Sequence, residues 1–376
     1  MLRNLIVLPD GSELFSGPGT ENAIQRVTLT QQVNTGEELT LGSVGSAKLE
    51  ATLFTPRGTL QIAPGEEITL YQVDKTGART KTGVFTVIGA LRPSANRYVI
   101  TARDATARLD RDLRLWLESL DGWPYSLYDF TQMVCAACQL TLRNDSLPAG
   151  DWQVQKFSLR NITGRRLMEW IGQACGCFCR ATTDGELEFA WYKPSAVMIS
   201  PGGETPYFMD TLEAADYTVA SVDKVHLKLT EKDVGVTCGN GTNTYVLMGN
   251  YLLAGHTGEE LLTVAQRLYE ILNSVTYTPC RVCIPATTQV VTGDIIRITD
   301  SNGRQFPVYV MSKTVEGNIA SLQSVGSAYR NPERVSGKEH WNGRLLELEA
   351  DVDGLRLKNT DTDGKGFALE ASVDGL

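Results

Sequence analysis

Short segments in which apolar and polar residues alternate recur through the N-terminal part of the chain. They are Leu5–Leu8, Ile24–Leu29, Lys48–Phe54, Glu67–Val73, Thr82–Ile88 and Tyr98–Thr101. Residues that favour turns separate them, as at Pro64 and Gly65. Evenly spaced short strands are typical of a β-barrel or a β-sandwich. The pattern therefore predicts a β-domain over residues 1–105, followed by short helical segments up to Leu120.

One strand–turn–strand pattern occurs twice, about 230 residues apart by direct count. The first copy runs from Gly65 to Val87 with a turn at 75–77, and the second runs from Gly293 to Val310 with a turn at 300–303. In both copies an acidic residue follows the first glycine, and apolar positions alternate on either side of the turn. We predict that one small β-barrel is used twice in a mainly β fold.

The middle of the chain has a different pattern, with two apolar helical stretches and one hairpin. Ser126 is the predicted N-cap of a helix, and Thr163 precedes a second helix that Gly176 ends. An Asp-Gly turn at 184–185 lies between two short alternating segments, which is typical of a β-hairpin. These features predict an α+β module over residues 106–210.

A second β-rich region follows the α+β module. Within it, Thr257 and Glu260 have the spacing of a capping box, which opens an amphipathic helix over 257–273. Alternating segments after this helix include the second copy of the strand–turn–strand pattern. We predict a second β-barrel over 211–330 that carries the capped helix.

The last segment, 331–376, is charged and rich in glycine. Leu348–Leu355 recurs as Leu369–Leu376 with a period of 21 residues. One unit of this size cannot bury its own apolar positions, so it needs further repeats or other chains. The sequence predicts a C-terminal stalk of such repeats.

The composition narrows the classes of function. The net charge is −9 and the isoelectric point is near 5.1, whereas proteins that wrap nucleic acid need clustered Lys and Arg. An acidic balance is compatible with a pore through which DNA passes without binding. The apolar run at the N-terminus is too short for a signal peptide, and no stretch has the length of a membrane span. We expect the chain to fold in the cytoplasm of its host cell and not to insert into a membrane.

The cysteines form two CxxC pairs and one CxCxC run, which are spacings that zinc sites also use. The eight residues are Cys135, Cys138, Cys175, Cys177, Cys179, Cys238, Cys280 and Cys283. The first pair lies in an apolar helical stretch, and the run alternates along a predicted strand. We interpret the cysteines as reduced, buried, small apolar residues; a metal or redox role is the alternative.

The remaining candidate residues do not form a recognisable catalytic motif. His226, His256 and His340 are far apart in the sequence, although a Cys–His pair formed in space is an alternative. Glu186 and Glu188 share one strand face, which we interpret as solvated rather than as a hydrolytic pair. We therefore predict no catalytic, cofactor-binding or metal-binding residues and no enzymatic activity.

The segment from Asn359 to Glu370 has the spacing of a calcium-binding loop. It departs from that pattern because it begins with Asn and has Gly366 where the loop normally needs an apolar residue. We interpret it as a hairpin turn within the stalk repeat.

The order of several stretches resembles one known family. The stretches are Lys48–Leu53, Gly65–Ile68, Thr82–Val87, Tyr98–Leu109, Gly249–Leu253 and Val291–Ile296. In this order, over about residues 1–330, the chain resembles the baseplate hub of tailed bacteriophages and related contractile injection systems, which also forms the N-terminal part of siphophage tail-associated proteins. It departs from the family at Tyr251, where proline is commoner, and in its cysteine-rich middle.

The resemblance implies a structural homotrimer in the virion tail tip or baseplate, assembled in the bacterial host cytoplasm. Two tube-docking barrels per chain would form a pseudo-sixfold ring on the tail tube or distal tail protein, with the α+β modules closing the DNA channel. Implied partners are other copies of the chain, the tape measure protein and tail fibre or stalk components, with DNA passing only transiently. A contractile and a non-contractile tail both remain open.

Two other functions remain as alternatives. In one, the chain is the N-terminal part of a tail-associated cell-wall hydrolase, as in family members that carry a hydrolase after this region. In the other, it is a tail adhesin in which tryptophans stack on host glycans. The candidate tryptophans are Trp123, Trp152, Trp170, Trp191 and Trp341, of which Trp341 is the one to test.

Overall fold

The structure is a computed structural model that describes residues 3–16, 23–55, 60 and 62–330, together with the backbone of three strands between 347 and 371. Predictions that concern His340, Trp341 and the calcium-like turn at 361–365 lie outside the described residues.

Seven strands at the N-terminus form a closed barrel, here called the first barrel. They are β1 (Arg3–Val7), β2 (Glu13–Ser16), β3 (Ala23–Gln32), β4 (Ala47–Phe54), β5 (Glu67–Val73), β6 (Arg79–Ser94) and β7 (Arg97–Arg103). The strands pair in the order β3-β2-β1-β5-β6-β7-β4, and β4 pairs back to β3. This closure pairs the two strands that would be the edges of a flat sheet.

Alternation along each strand explains why these segments form a barrel. In β4, Leu49, Ala51 and Leu53 are buried, whereas the alternate residues Lys48 and Glu50 are exposed. Each fully buried Leu or Ile side chain stabilises the fold by about 1.5–3 kcal/mol. The prediction of a mainly β fold is confirmed.

The segment between β3 and β4 leaves the barrel and enters the hydrophobic core of the middle of the chain. Leu39, Leu41 and Val44 are buried in that core. Gly42 has φ +74°, and a Cβ atom on it would lie 2.2 Å from the carbonyl oxygen of Glu169. Glycine is therefore required where this segment crosses the helix that carries Glu169.

In the part of the chain that the structure describes, four α-helices lie between the β-regions. They are α1 (Arg114–Glu118), α2 (Leu127–Ala137), α3 (Gly164–Cys175) and α4 (Gly258–Asn273), with 3-10 helices at Ala105–Asp110 and Tyr251–Leu253. The predicted caps are confirmed: Ser126 and Thr163 accept hydrogen bonds from the first turns of α2 and α3, Thr257 and Glu260 form a capping box, and Gly176 ends α3 with φ +75°.

The strands that follow the first barrel are shorter. They are β8 (Tyr125–Ser126), β9 (Gln153–Val154), β10 (Phe178–Ala181), β11 (Leu187–Ala190), β12 (Lys193–Ile199), β13 (Glu213–Ala214), β14 (Lys224–Lys228), β15 (Val236–Gly239), β16 (Thr244–Met248), β17 (Cys280–Pro285), β18 (Asp294–Thr299), β19 (Gln305–Tyr309), β20 (Ser312–Glu316), β21 (Ile319–Ser324), β22 (Glu347–Asp351), β23 (Gly354–Thr360) and β24 (Gly366–Ala371). The hairpin β10–β11 turns at 184–185, as predicted.

Two small sheets enclose a separate core and form the second β-unit, residues 193–214 and 280–324. One consists of β13-β17-β21-β20, which is the end of the sheet that continues into β3, and the other has the order β12-β18-β19. Val282, Ile296 and Leu322 are fully buried between them. Among the described strands no ladder joins the two sheets, so this unit is held together mainly by its core.

A middle module separates the two parts of the second β-unit. It contains the sheet β15-β14-β16 and helix α4, whose buried face packs with helices α2 and α3 in one core. The core of the second β-unit thus includes β12, which begins at residue 193. Helix α4 does not pack in that core; its buried residues lie in the core that it shares with α2 and α3. The four predicted domain ranges stay a prediction.

The strands β22, β23 and β24 form an antiparallel meander. The first stalk repeat, 348–355, covers most of β22 and the start of β23, and the second begins on β24 at Leu369. The predicted stalk stays a prediction.

Candidate functional site: a polar sheet face across both β-units

The first barrel and the second β-unit are joined by direct strand pairing. Strand β3 pairs with β4 on one edge, and on its other edge with β2 at its start and with β20 at its end. The antiparallel register with β20 places Thr30 opposite Thr314 and Thr28 opposite Glu316. Six strands, β17-β21-β20-β3-β4-β7, therefore form one continuous sheet across both units.

One face of this sheet covers the two cores, and the other face is polar. Most residues on the second face carry hydroxyl, amide or charged side chains and are exposed or half-buried, and Val99, Cys283 and Ile319 lie among them. We call this set the polar sheet face; it comprises Thr28, Thr30, Lys48, Glu50, Thr52, Thr101, Arg103, Arg281, Ser312, Thr314, Glu316, Ser321 and Gln323. Its part on the second β-unit forms a shallow groove of about 550 Å³.

Two ion pairs lie on the polar sheet face. Arg26 extends over the same face, and its Nη2 lies 2.5 Å from Oε1 of Glu316. Lys48 Nζ lies 2.7 Å from Oε1 of Glu50. Exposed pairs of this kind add only about 0–1 kcal/mol to stability. The other two cations of the face, Arg103 and Arg281, have no carboxylate partner among the described residues, and Arg103 lies opposite Lys48.

The two copies of the sequence repeat have the same main-chain hydrogen bonds at their base. The N–H groups of Gly65 and Gly293 donate to the carbonyl oxygens of Val87 and Val310, each at 2.8 Å. The return bonds, from Val87 and Val310 to the acidic residue after each glycine, are also 2.8 Å. The φ angles of the two glycines are +95° and +91°, which explains why glycine occupies both positions.

The acidic residue of the repeat has a structural role. The carboxylate of Glu66 accepts a hydrogen bond from the N–H of Ala63, and that of Asp294 accepts one from Val291, in each case three residues earlier. Each carboxylate thereby fixes the loop that leads into its hairpin. The predicted strand–turn–strand repeat is thus present in both units with the same hydrogen bonds.

Each of these loops is also held by a cation from the strand after its hairpin. In the second β-unit, Lys313 Nζ donates to the carbonyl oxygens of Thr287 and Val290 at 2.8 and 2.6 Å. Burial lowers the pKa of Lys313 to about 8, and the charge of Asp294 opposes that shift. In the first barrel, the exposed end of β6 supplies Arg92, which donates to the carbonyl oxygens of residues 55 and 60.

The cysteines lie mostly in the middle core. All eight are free thiols; six are buried, and Cys238 and Cys283 are half-buried. Burial raises the pKa of Cys135 to about 12 and that of Cys177 to about 11, which disfavours the reactive thiolate. Among the residues that the structure describes, no group of three or more His, Cys, Asp or Glu side chains could hold a metal ion.

The two described histidines bond to backbone carbonyl groups. His226 Nε2 lies 2.8 Å from the oxygen of Val234, and His256 Nε2 lies 2.7 Å from that of Gln153. Glu188, interpreted from the sequence as solvated, is half-buried and pairs with Arg180, whose Nη2 lies 2.9 Å from Oε2 of Glu188.

Four of the candidate tryptophans lie in or against the core that helices α2, α3 and α4 share. Trp170 is only 3% exposed. Trp152 stacks on His256 with ring centroids 4.0 Å apart, and its indole N–H donates to the carbonyl oxygen of Leu252. Trp123 and Trp191 are half-buried and contact the aromatic side chains beside them.

No helix among the described residues is long and apolar enough to cross a membrane. The sequence matches no family model and no curated protein.

Solved structures of phage tail proteins are similar to this chain over most of its length. The tail protein of Neisseria meningitidis MC58 has a TM-score of 0.56 at 9% identity, covering 87% of this chain and 97% of that chain. The 43 kDa tail protein of prophage MuSo2 from Shewanella oneidensis has a TM-score of 0.52 at 14% identity, covering 86% of this chain and 98% of that one. The chain therefore has the fold of phage tail proteins, and the resemblance predicted from its sequence is confirmed at the level of the fold.

Proposed function

We propose that this chain is a structural hub of a phage-type tail tip or baseplate, and that three copies form a ring of six β-units. The observation that carries the proposal is the continuous sheet from β17 to β7, which joins two units with the same hairpin inside one chain. A chain that already contains two similar units can match a threefold assembly to a sixfold tube. The fold of phage tail proteins supports the same role.

In this ring, the polar sheet face would line the central channel. A channel that conducts DNA needs a hydrated wall that does not bind phosphate groups. Paired charges such as Arg26–Glu316 and hydroxyl groups such as those of Thr30 and Thr314 have this character. The outer surface of the ring would dock on the tail tube or distal tail protein, and the middle modules would close the channel before infection.

The remaining partners follow from the same arrangement. The tape measure protein would end at the ring, and the repeats of 331–376 would extend as a trimeric stalk toward fibre components, so that three chains bury the apolar positions that one repeat cannot. The particle would be assembled in the host cytoplasm and carried in the virion.

The mass of the native particle tests the proposal. For the full chain of 41.2 kDa, native mass spectrometry is expected to give a trimer, and electron microscopy six lobes around a central channel. A chain that stays monomeric at a concentration of about 100 μM, far above the Kd of a stable assembly, would contradict it.

We propose no enzymatic activity for this chain. The buried thiols with raised pKa values and the histidines bonded to carbonyl groups support this view. Release of soluble fragments from purified peptidoglycan by the full chain would overturn it and favour the hydrolase alternative.

A further inference from the structure

The second half of β6 has one free edge. Strand β6 pairs with β5 as far as Thr86, and with β7 from Thr86 to Ser94. Beyond Val87, the described residues provide no backbone partner on the side that faced β5. Two large apolar side chains of this edge are exposed, Ile88 at 49% and Leu91 at 71%. An unpaired edge with exposed apolar side chains is a template for pairing with another strand.

The corresponding edge in the second β-unit is covered. There, β20 follows the repeat hairpin and pairs with β21, just as the second half of β6 follows its hairpin and pairs with β7. Gly89 lies opposite Thr101, and Ser312 lies opposite Gln323. Because Val87 and Val310 hold the same position at the base of the two hairpins, Gly89 corresponds to Ser312 and Leu91 to Thr314. The outer edge of β20 pairs with β3 of the first barrel.

The second β-unit also has a counterpart of β3. Strand β13 pairs with β17 as β3 pairs with β4, both antiparallel. Thr28 lies opposite Glu50, which lies opposite Thr101. In the same way, Glu213 lies opposite Arg281, which lies opposite Gln323. Glu213 therefore corresponds to Thr28. The edge of 213–215 that faces away from β17 has no backbone partner among the described residues.

We propose that the free edge of β6 in one copy pairs antiparallel with residues 213–215 of a second copy, with Leu91 opposite Ala215. This contact repeats between chains the pairing of β20 with β3, in which Thr314 lies opposite Thr30. The inference rests on the proposed ring and names the strand contact that closes it. Because the two edges differ, the contact runs head to tail, which generates a closed ring when the rotation closes.

The surroundings of the two edges fit each other. Exposed Arg97 lies at the tip of the β6–β7 hairpin, and Glu213 and Asp216 flank the opposite segment. Tyr217, which is 43% exposed, follows that segment and would lie near Ile88. Pairing would thus bury apolar surface and bring opposite charges together, which favours a second copy over an unrelated partner.

Cysteine cross-linking tests the register. In antiparallel pairs, opposite Cα atoms lie about 4.5–5.5 Å apart, within the range that a disulfide bridges. Mild oxidation of the full chain carrying Leu91→Cys and Ala215→Cys is expected to give covalent multimers, and mass spectrometry should find a peptide that joins positions 91 and 215. The matched control carries Leu91→Cys and Ala214→Cys, because Ala214 faces the core of its own unit and should not cross-link.

A charge substitution tests the contribution of the edge to assembly. Leu91→Glu places a negative charge beside Glu213 and Asp216 of the second copy, and we expect the protein concentration at half-assembly to rise by at least about tenfold. Leu115→Glu is the matched control, since Leu115 is also 71% exposed. A trimer that persists in Leu91→Glu and does not cross-link at 91–215 overturns the strand contact and leaves the ring. A wild-type chain that stays monomeric overturns both.

Discussion

The repeat hairpins of the first barrel and of the second β-unit have the same hydrogen bonds at their base, but their surroundings differ. The hairpin that begins at Gly65 is open to solvent at its base, and a Cβ atom on Gly65 would meet no atom within 4 Å. The one that begins at Gly293 lies under the β10–β11 hairpin, where Arg180 donates to the carbonyl oxygen of Thr292 at 2.7 Å. Asp294 is buried, whereas Glu66 is half-buried.

The difference shows which properties of the repeat are local. The positive φ of the glycine and the carboxylate that caps the preceding loop depend on a few adjacent residues, so both copies keep them. The environment of each hairpin depends on what packs over it. The hairpin of the second β-unit is therefore anchored to the β10–β11 hairpin, whereas the first barrel leaves the strand edge after its hairpin open.

The largest expected effect tests whether the two cores are equivalent. Ile68 and Ile296 hold the same position in the two hairpins, and both are fully buried. Ile68→Ala and Ile296→Ala should each lower the free energy of unfolding by about 2–5 kcal/mol, because each leaves a cavity in a closed core. Denaturation with urea measures both losses, and the half-exposed Ile319→Ala serves as the control, with a change below about 0.5 kcal/mol. A much smaller loss for Ile296→Ala would mean that the second core is loosely packed.

The next prediction is a pH dependence of stability that distinguishes Lys313 from Arg92, the two cations that hold the loops before the hairpins. Lys313 has its pKa lowered by burial from 10.5 to about 8, so the folded state binds this proton less tightly than the unfolded state does. The stability of the wild type relative to Lys313→Met should therefore rise by about 3 kcal/mol between pH 8 and pH 10.5, and stay constant below pH 8.

Arg92→Met provides the matched control for this pH dependence. A guanidinium does not titrate in that range, so the difference between the wild type and Arg92→Met should not change with pH. Urea denaturation at pH 7, 8, 9 and 10 measures both differences. Parallel curves for Lys313→Met and the wild type would contradict the burial of a charged lysine.

Sequence reasoning succeeds where the signal is local. The caps at Ser126, Thr163 and Thr257 were predictable because each depends on a side chain and the backbone three residues later. The repeat was predictable because turn residues and alternation are visible in a short window. Its glycine and acidic positions carried the signal for the hairpin base, although their hydrogen bonds needed coordinates.

The polar sheet face was not predictable in the same way. The pairing of β3 with β20 joins opposite ends of the chain, and the alternation of Thr28 and Thr30 with Val27 and Leu29 is compatible with many neighbours. Lys313 shows a second limit, since its residue type favours the surface, while the strand places its side chain beside Val290 in a core.

The smallest of these effects distinguishes the local part of the repeat from its environment. Gly65→Ala should lower the free energy of unfolding by about 1 kcal/mol, because its φ of +95° disfavours an L side chain and there is space for the methyl group. In Gly293→Ala the new Cβ would lie 2.9 Å from Cζ of Phe178. Overpacking should therefore lower the free energy of unfolding by a further ~1–3 kcal/mol beyond the loss expected for Gly65→Ala. Thermal or urea unfolding measures this difference.

A double-mutant cycle assigns the added loss to its cause. In the background of Phe178→Leu, which removes the distal ring atoms, Gly293→Ala should cost less than in the wild type, because only the contact with Arg180 Nη1 at 3.4 Å would remain. An undiminished loss in that background would show that the contact with the Phe178 ring does not set the difference between the two copies.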